Sequence, residues 1–386
     1  MYRISLRLGA GLMPVLACLF TCATPARAGV VNPDISVIGQ PAGSWTDAAG
    51  NTARKRVVLD AGETEIVFDA DLNPYARGTF TTSLDAAGLS LEEGFFTISR
   101  GLPAGLALKA GKYRAGFGKL NPSHPHTDPF GGRFHLLGEY LPGTDGYNET
   151  GLDVSKLVAL PGDGSLTVSA DWLQGDSFRR PRTASGAAND PLAGDPGAGD
   201  HAGEPRPAAL ARAAGFFMLG ERSGLELGVS ATEGTNNVAA GARTTVVGAD
   251  AKAKLWNGAN SYLLLQGEFM SLNREDAGWD STAAAYTKTR VKPSGAYAFA
   301  DYNFSPRYDA GVSFEHWQSA DVARTSNQAA QVFAGLALME ETTSFRVGWE
   351  HAMPGRPEGA TEDPKPINTV TLRVIYSMGP HKAHQF

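Results

Sequence analysis

Three histidines, His124, His126 and His135, fall within one stretch of twelve residues, with Asp128 inside it and Glu139 just beyond. Neutral imidazole is a common zinc ligand, and carboxylates complete many such sites. Both rings of the His124 and His126 pair reach one ion only if the backbone between them is extended or turned, which Pro125 favours. The same residues also fit a proline-rich turn whose imidazoles simply hydrogen-bond to their surroundings, so a zinc site and a structural turn are both open readings. His381 and His384 form a looser pair near the end of the chain, and His201 lies in a stretch rich in glycine and proline. No other arrangement suggests a reaction. There is no Gly-x-Ser-x-Gly elbow, the glycine-rich stretches lack the strand and helix context of a phosphate cradle, and serine, histidine and aspartate are too scattered to nominate a triad. The sequence therefore reads as a protein that is not an enzyme.

The elements that must position these side chains are strands. Val370, Leu372, Val374, Tyr376 and Met378 occupy every second position, with Thr369, Thr371, Arg373 and Ser377 between them. The same two-residue period recurs at 166–172, 225–232, 309–315 and 345–350, where one face is apolar and the other polar. Segments of about 10 residues match a tilted strand crossing a bilayer. Fifteen follow residue 56, at roughly 57–71, 75–84, 89–99, 106–117, 149–160, 165–175, 210–220, 224–234, 241–255, 260–273, 288–303, 308–318, 328–339, 342–352 and 366–378. A closed bacterial barrel needs an even number. Ile35-Ser36-Val37-Ile38 supplies the missing first strand, giving sixteen, with fourteen as the other even count within reach.

Connection lengths support this parity. Tight turns at 161–164, 257–259 and 305–307 alternate with longer pieces at 118–148, 176–209, 274–287 and 353–365, all on one side. The stretch from Thr183 to Pro207 has no aromatic residue and many glycines, so it reads as an external loop within one domain rather than a linker between two. The fold class expected is thus an all-β transmembrane antiparallel β-barrel spanning 29–386, with external loops at 118–148 and 176–209.

The start of the chain fits export. Arg3 and Arg7 precede an apolar run from Leu8 to Phe20, followed by small residues at Ala26 and Ala28, so 1–28 reads as a signal peptide. Val15-Leu16-Ala17-Cys18 also loosely resembles a lipoprotein signal. Both cysteines, Cys18 and Cys22, lie in that segment, so the remaining chain must be held by hydrogen bonds and burial alone. Without Arg3, Arg7 and Arg27 the 34 basic residues become 31 against 40 acidic ones, a formal charge of −9. That balance excludes a nucleic-acid partner.

A soluble sandwich or propeller alternates too. Three features favour lipid instead: long segments, aromatics near segment ends (Trp172, Trp317, Trp349 and Tyr376), and charges of both signs on the polar face. Those charges, Glu65, Asp69, Asp171, Glu268, Glu315, Arg346, Glu350 and Arg373, are expected to line a hydrated lumen. His316 and His351 fall in the apolar register and read as residues of the interfacial girdle. In this reading Leu372→Arg costs about 2–4 kcal/mol near the bilayer midplane, while Arg373→Gln is mild.

Several short stretches carry a resemblance: Asn32-Pro33-Asp34-Ile35-Ser36-Val37-Ile38, Asn73-Pro74-Tyr75, Leu91-Glu92-Glu93, Gly111-Lys112, Leu120-Asn121 followed by His124-Pro125-His126, and the ending Gly379 to Phe386. Together they resemble a family of porin-like Gram-negative outer-membrane barrels often labelled zinc-regulated TonB-dependent outer membrane receptors. The resemblance implies an outer-membrane location, with lipid as one partner and the barrel-assembly machinery, reading the C-terminal strand, as another. The expected function is a passive porin-like channel for small solutes or ions, narrowed by the 118–148 loop folding inward and needing no cofactor. The alternative is an outer-membrane zinc-binding or uptake receptor without a plug domain. The oligomeric state is not legible.

Overall fold

A computed structural model describes residues 32–143, 146–179, 204, 206–338 and 342–379. The signal segment, most of the 183–207 stretch, and His201, His381 and His384 lie outside the described residues.

Period-two polarity gives the sheet two unlike faces, and the hydrogen-bonding edges decide what becomes of it. In hydrocarbon an unpaired N–H or C=O costs several kcal/mol, so a sheet bathed in lipid has to close on itself. It does so here. Sixteen antiparallel strands follow one another in chain order. We number them β1 (Asp34–Gly39, continued by Ala42–Thr46), β2 (Val57–Asp60 and Thr64–Asn73), β3 (Ala76–Asp85), β4 (Gly88–Ile98), β5 (Leu106–Arg114), β6 (Asn148–Leu160), β7 (Gly164–Leu173) and β8 (Ala208–Met218). The second half comprises β9 (Gly224–Asn237), β10 (Ala242–Trp256), β11 (Tyr262–Asp280), β12 (Ala285–Val291 and Ser294–Ser305), β13 (Tyr308–Gln318), β14 (Ser326–Ala337), β15 (Thr343–Met353) and β16 (Ile367–Met378). The ring closes where β16 meets β1, with Met378 opposite Val37 and Thr369 opposite Thr46 in one unbroken register.

The interruptions have local causes. Pro41 in β1 and Pro293 in β12 lack the N–H that a ladder position would donate, yet both keep their acceptor role. Val374 N–H donates to Pro41 O at 2.9 Å, and Leu272 N–H to Pro293 O at 3.0 Å. The break in β2 is a bulge: between the Gly39–Thr64 and Ala42–Asp60 pairs it carries one residue more than β1. Gly62 turns this corner with φ +65°, where a Cβ would strike Gln40 O.

The outward face is apolar around the ring, with Val229 on β9, Val312 on β13, Val347 on β15 and Leu372 on β16 all well exposed. Eight connections fall on one side and seven on the other, and the two long ones, 115–147 and 174–207, share a side with 47–56 and 354–366. The 274–287 piece is not a loop. β11 runs to Asp280 and β12 starts at Ala285, so the hairpin continues as a paired ribbon in which Trp279 faces Tyr286 edge-on.

The packed core lies inside the ring. Residues 115–147 supply Phe117, Leu120, Phe130, Phe134, Leu136, Leu137, Tyr140 and Tyr147, and the inner faces of β10–β14 supply Val246, Met270, Leu272, Tyr297, Phe299, Trp317 and Phe333. Trp317 is therefore not an interfacial girdle residue. It falls in the inward register with Ser313 and Glu315, and its ring stacks on His135 at 4.7 Å and 1°. Trp172 and Trp349 do face outward.

Candidate functional site

The site is the 115–147 loop and the wall it is fastened to. Asn121 ties its two ends together: its side-chain amide donates to Ala115 O (2.8 Å) and Tyr147 O (3.0 Å), and its Oδ1 accepts Tyr147 N–H (2.9 Å). From this clasp the chain crosses the lumen through a turn at Pro125–Thr127 and a short helix, α1 (His135–Tyr140).

Its first half is held by ionic and polar contacts from strands all round the ring. Glu268 on β11 accepts the N–H groups of Lys119 (2.8 Å) and Leu120 (2.7 Å) and the Tyr297 hydroxyl (2.7 Å). Lys119 Nζ reaches Glu226 on β9 at 2.7 Å. From β16, Arg373 donates to Pro125 O (3.0 Å), to Asp128 O (2.8 Å) and to Phe130 O. Gln331 on β14 accepts Gly131 N–H at 2.7 Å, and Arg346 on β15 donates to Pro129 O at 3.4 Å while pairing with Asp309 at 3.1 Å. Asp128 is fully enclosed, and burial raises its pKa against the pull of Arg133 and Arg373.

The second half is held by apolar surface. Phe134 stacks on Tyr297 at 4.0 Å and lies 4.8 Å from Phe130, which in turn meets Phe299 and Phe333 edge-on. Polar joints accompany this packing: the Tyr140 hydroxyl donates to Gln318 O (2.8 Å) and Glu139 accepts Ala320 N–H (3.1 Å). The Glu315 carboxylate accepts the backbone N–H groups of His135 (3.2 Å) and Leu136 (3.3 Å) and contacts His135 Nδ1 at 2.6 Å, capping α1 from the wall. The hydrogen bond His135 donates to Glu315 raises the His135 pKa, with burial opposing it and Glu350 and Glu139 adding to the rise.

The three histidines do not converge. His135 belongs with Glu315 and Glu350, whereas His124 and His126 meet Glu65 on β2. His124 Nδ1 lies 3.2 Å from Glu65 and 3.4 Å from Glu92, its Nε2 lies 3.0 Å from Glu93, and His126 Nδ1 lies 3.1 Å from Glu65. Burial pushes the His124 pKa down, but hydrogen bonds to Glu65 and Glu93 outweigh it and leave the value at about 10. The remaining nominated charges sit elsewhere: Asp171 on β7 accepts the Tyr113 hydroxyl at 2.9 Å, and Asp69 on β2 pairs with Arg77 on β3 at 2.5 Å. His316 and His351 bond to Ser326 (2.7 Å) and Asn368 (3.0 Å) on neighbouring strands.

Glu92 and Glu93 would not be expected to share a face, since successive strand residues point opposite ways. A bulge explains it: Thr81 pairs with Glu93 and Thr82 with Leu91, so Glu92 is the extra residue and both carboxylates turn inward. Arg114 then binds both, its Nε donating to Glu92 at 3.1 Å and its backbone N–H to Glu93 at 2.7 Å. An acidic pair inside an otherwise alternating strand was the available signal.

The sixteen-strand ring has counterparts among solved structures. The anion-selective porin from Comamonas acidovorans superposes with a TM-score of 0.55, covering 90% of this chain and 99% of its own at 8% identity. The outer membrane channel DcaP of Acinetobacter baumannii gives 0.56, 90% and 97% at 12% identity. OprB of Pseudomonas putida gives 0.53, 90% and 94% at 12% identity. The fold is that of the sixteen-strand outer-membrane porins. An uncharacterized protein of Aquifex aeolicus (strain VF5) is 28% identical over 264 residues, 65% of this chain and 52% of its own length, so this chain spans about half of that relative. No family model matches. The porin fold leaves the TonB-dependent receptor label without support; among the described residues the lumen holds a loop and no plug domain.

Proposed function

We propose that this porin-fold barrel is a passive channel of the bacterial outer membrane, with the 115–147 loop as its constriction. One observation carries this reading: a ring with a lipid-compatible outside surrounds a loop that is fastened to the wall on all sides, so what passes is limited by a fixed obstruction and not by a moving plug. The likeness to DcaP and to the two porins supports it. By the pattern of such barrels, short turns face the periplasm and long loops the exterior, so the start of β1 and the end of β16 lie on the periplasmic side. Solutes then cross between the fastened loop and the charged wall, where Arg133 and Glu350 line a cavity beside Gln331 and Thr371.

Planar-bilayer recording of the refolded barrel tests this. We expect stable open conductance without an energy source, growing in proportion to salt concentration. Folded, heat-modifiable barrels that insert and stay electrically silent would overturn it.

A further inference from the structure

We propose that Glu65, His124 and His126, backed by Glu92 and Glu93, form a binding site for one divalent transition-metal ion of the Zn²⁺ type, which fastens the constriction loop to the wall. The site needs the loop to lie in the lumen, but it does not depend on whether the barrel conducts.

The donor set is two imidazoles and a carboxylate, a combination suited to zinc. Its spacing is already close to that of a coordination shell. With metal–ligand bonds of about 2.0–2.1 Å, neighbouring corners of a tetrahedron lie about 3.3 Å apart. The Glu65 oxygens stand 3.2 Å from His124 Nδ1 and 3.1 Å from His126 Nδ1, and Glu92 stands 3.4 Å from the same His124 nitrogen. The outer shell is present as well: the opposite nitrogen of His124 meets Glu93 at 3.0 Å, the carboxylate–histidine relay that orients metal-bound imidazoles.

Charge points the same way. Glu63, Glu65 and Glu92 converge, with Glu93 adjacent, so four carboxylates face the Arg114 guanidinium and the His124 ring. Burying carboxylates in excess of cations is costly, and a dication offsets it. Independently, Glu92 is only 5% exposed and its Oε2 has no hydrogen-bond partner, so an acceptor beside the pair of histidines is open to a ligand. On binding, His124 gives up its Nδ1 proton to solvent and the nitrogen lone pair goes to the metal, so uptake of one ion releases about one proton per barrel. The His135, Glu315 and Glu350 group is the weaker candidate, because Glu315 already caps α1.

The test is titration of chelator-treated, folded barrel in detergent with Zn²⁺ by calorimetry and with Co²⁺ by visible absorption, in two buffers of different protonation enthalpy. We expect one ion per barrel, a tetrahedral Co²⁺ spectrum and proton release. His126→Ala should weaken binding by about 100-fold or more, and Glu93→Gln, which preserves shape and can still accept the Arg114 N–H, by about 10-fold. Heat-dependent gel mobility checks that each variant is folded. Absence of saturable binding to the unaltered barrel would overturn the site, as would binding that survives His126→Ala and disappears in His135→Ala. A barrel that conducts but binds no metal overturns this inference alone, leaving the channel intact.

Discussion

The two halves of the constriction loop are fastened by opposite kinds of force. Residues 118–133 are held by carboxylates and guanidinium groups aimed at backbone N–H and C=O groups, as with Glu268 at Lys119 and Leu120 and Arg373 at Asp128. Residues 134–141 are held chiefly by aromatic packing against β11–β13, with polar joints from Glu315, from Gln318 to Tyr140 and from Ala320 to Glu139. Polar fastening is directional and fixes where the chain runs. Apolar fastening is indifferent to direction but contributes through area, so removing a ring should loosen the loop more than removing a charge.

The comparison makes its sharpest forecast at Phe134, which is buried between Tyr297 and Phe130. Phe134→Ala should cost about 3–5 kcal/mol and release the helical half, seen as a lower unfolding midpoint in urea and a larger, noisier single-channel conductance. Leu372→Arg probes the other side of the wall, where Leu372 is 49% exposed to lipid. It should cost about 2–4 kcal/mol in barrel stability while leaving the conductance of the surviving channels unchanged. One residue along, Arg373→Gln should cost about 1–3 kcal/mol, because carbonyls of Pro125, Asp128 and Phe130 lose their charged donor. Its signature is the reverse, a near-normal barrel with a wider pore. If Arg373→Gln unfolds the barrel as readily as Leu372→Arg does, the division between wall and loop fails.

The smallest effect is one of pH. Glu315 raises the His135 pKa, so the docked loop holds this proton more tightly than the free one. That contribution is complete below the ordinary imidazole value of about 6.5 and is lost as pH rises through the higher docked value. Channel noise should therefore increase modestly across that window on the alkaline side, and His135→Phe, which keeps the stack on Trp317, should flatten the response.

Much of the ring was legible because lipid selects a period of two: all fifteen segments after residue 56 and the first strand at Ile35 to Ile38 appear as strands. The period fails where its cause is absent. Beyond the bilayer both faces of a strand meet water, so the ribbon around Asp280, with charges and threonines on either side, shows no alternation and reads as a loop. The site was half legible. Sequence spacing brought His124 and His126 together but placed His135 with them, and only the fold shows that α1 carries it to a different wall. Mildness was expected of Arg373→Gln on the view that this side chain meets only water; nothing local to β16 announces that a loop 243 residues earlier in the chain lies against it. The inward aromatics were hidden for a related reason: on β12 the bulky residues Tyr297 and Phe299 point inward and the alanines outward, reversing the usual sense.

Arg373 also sets an order of events. It sits on the sixteenth strand, whereas the loop it grips follows the fifth, so this grip waits for the last strand to join the sheet. A ring short of β16 lacks this grip, while β11, β13, β14 and β15 still hold the loop. Completion of the wall therefore also completes the fastening of the bore.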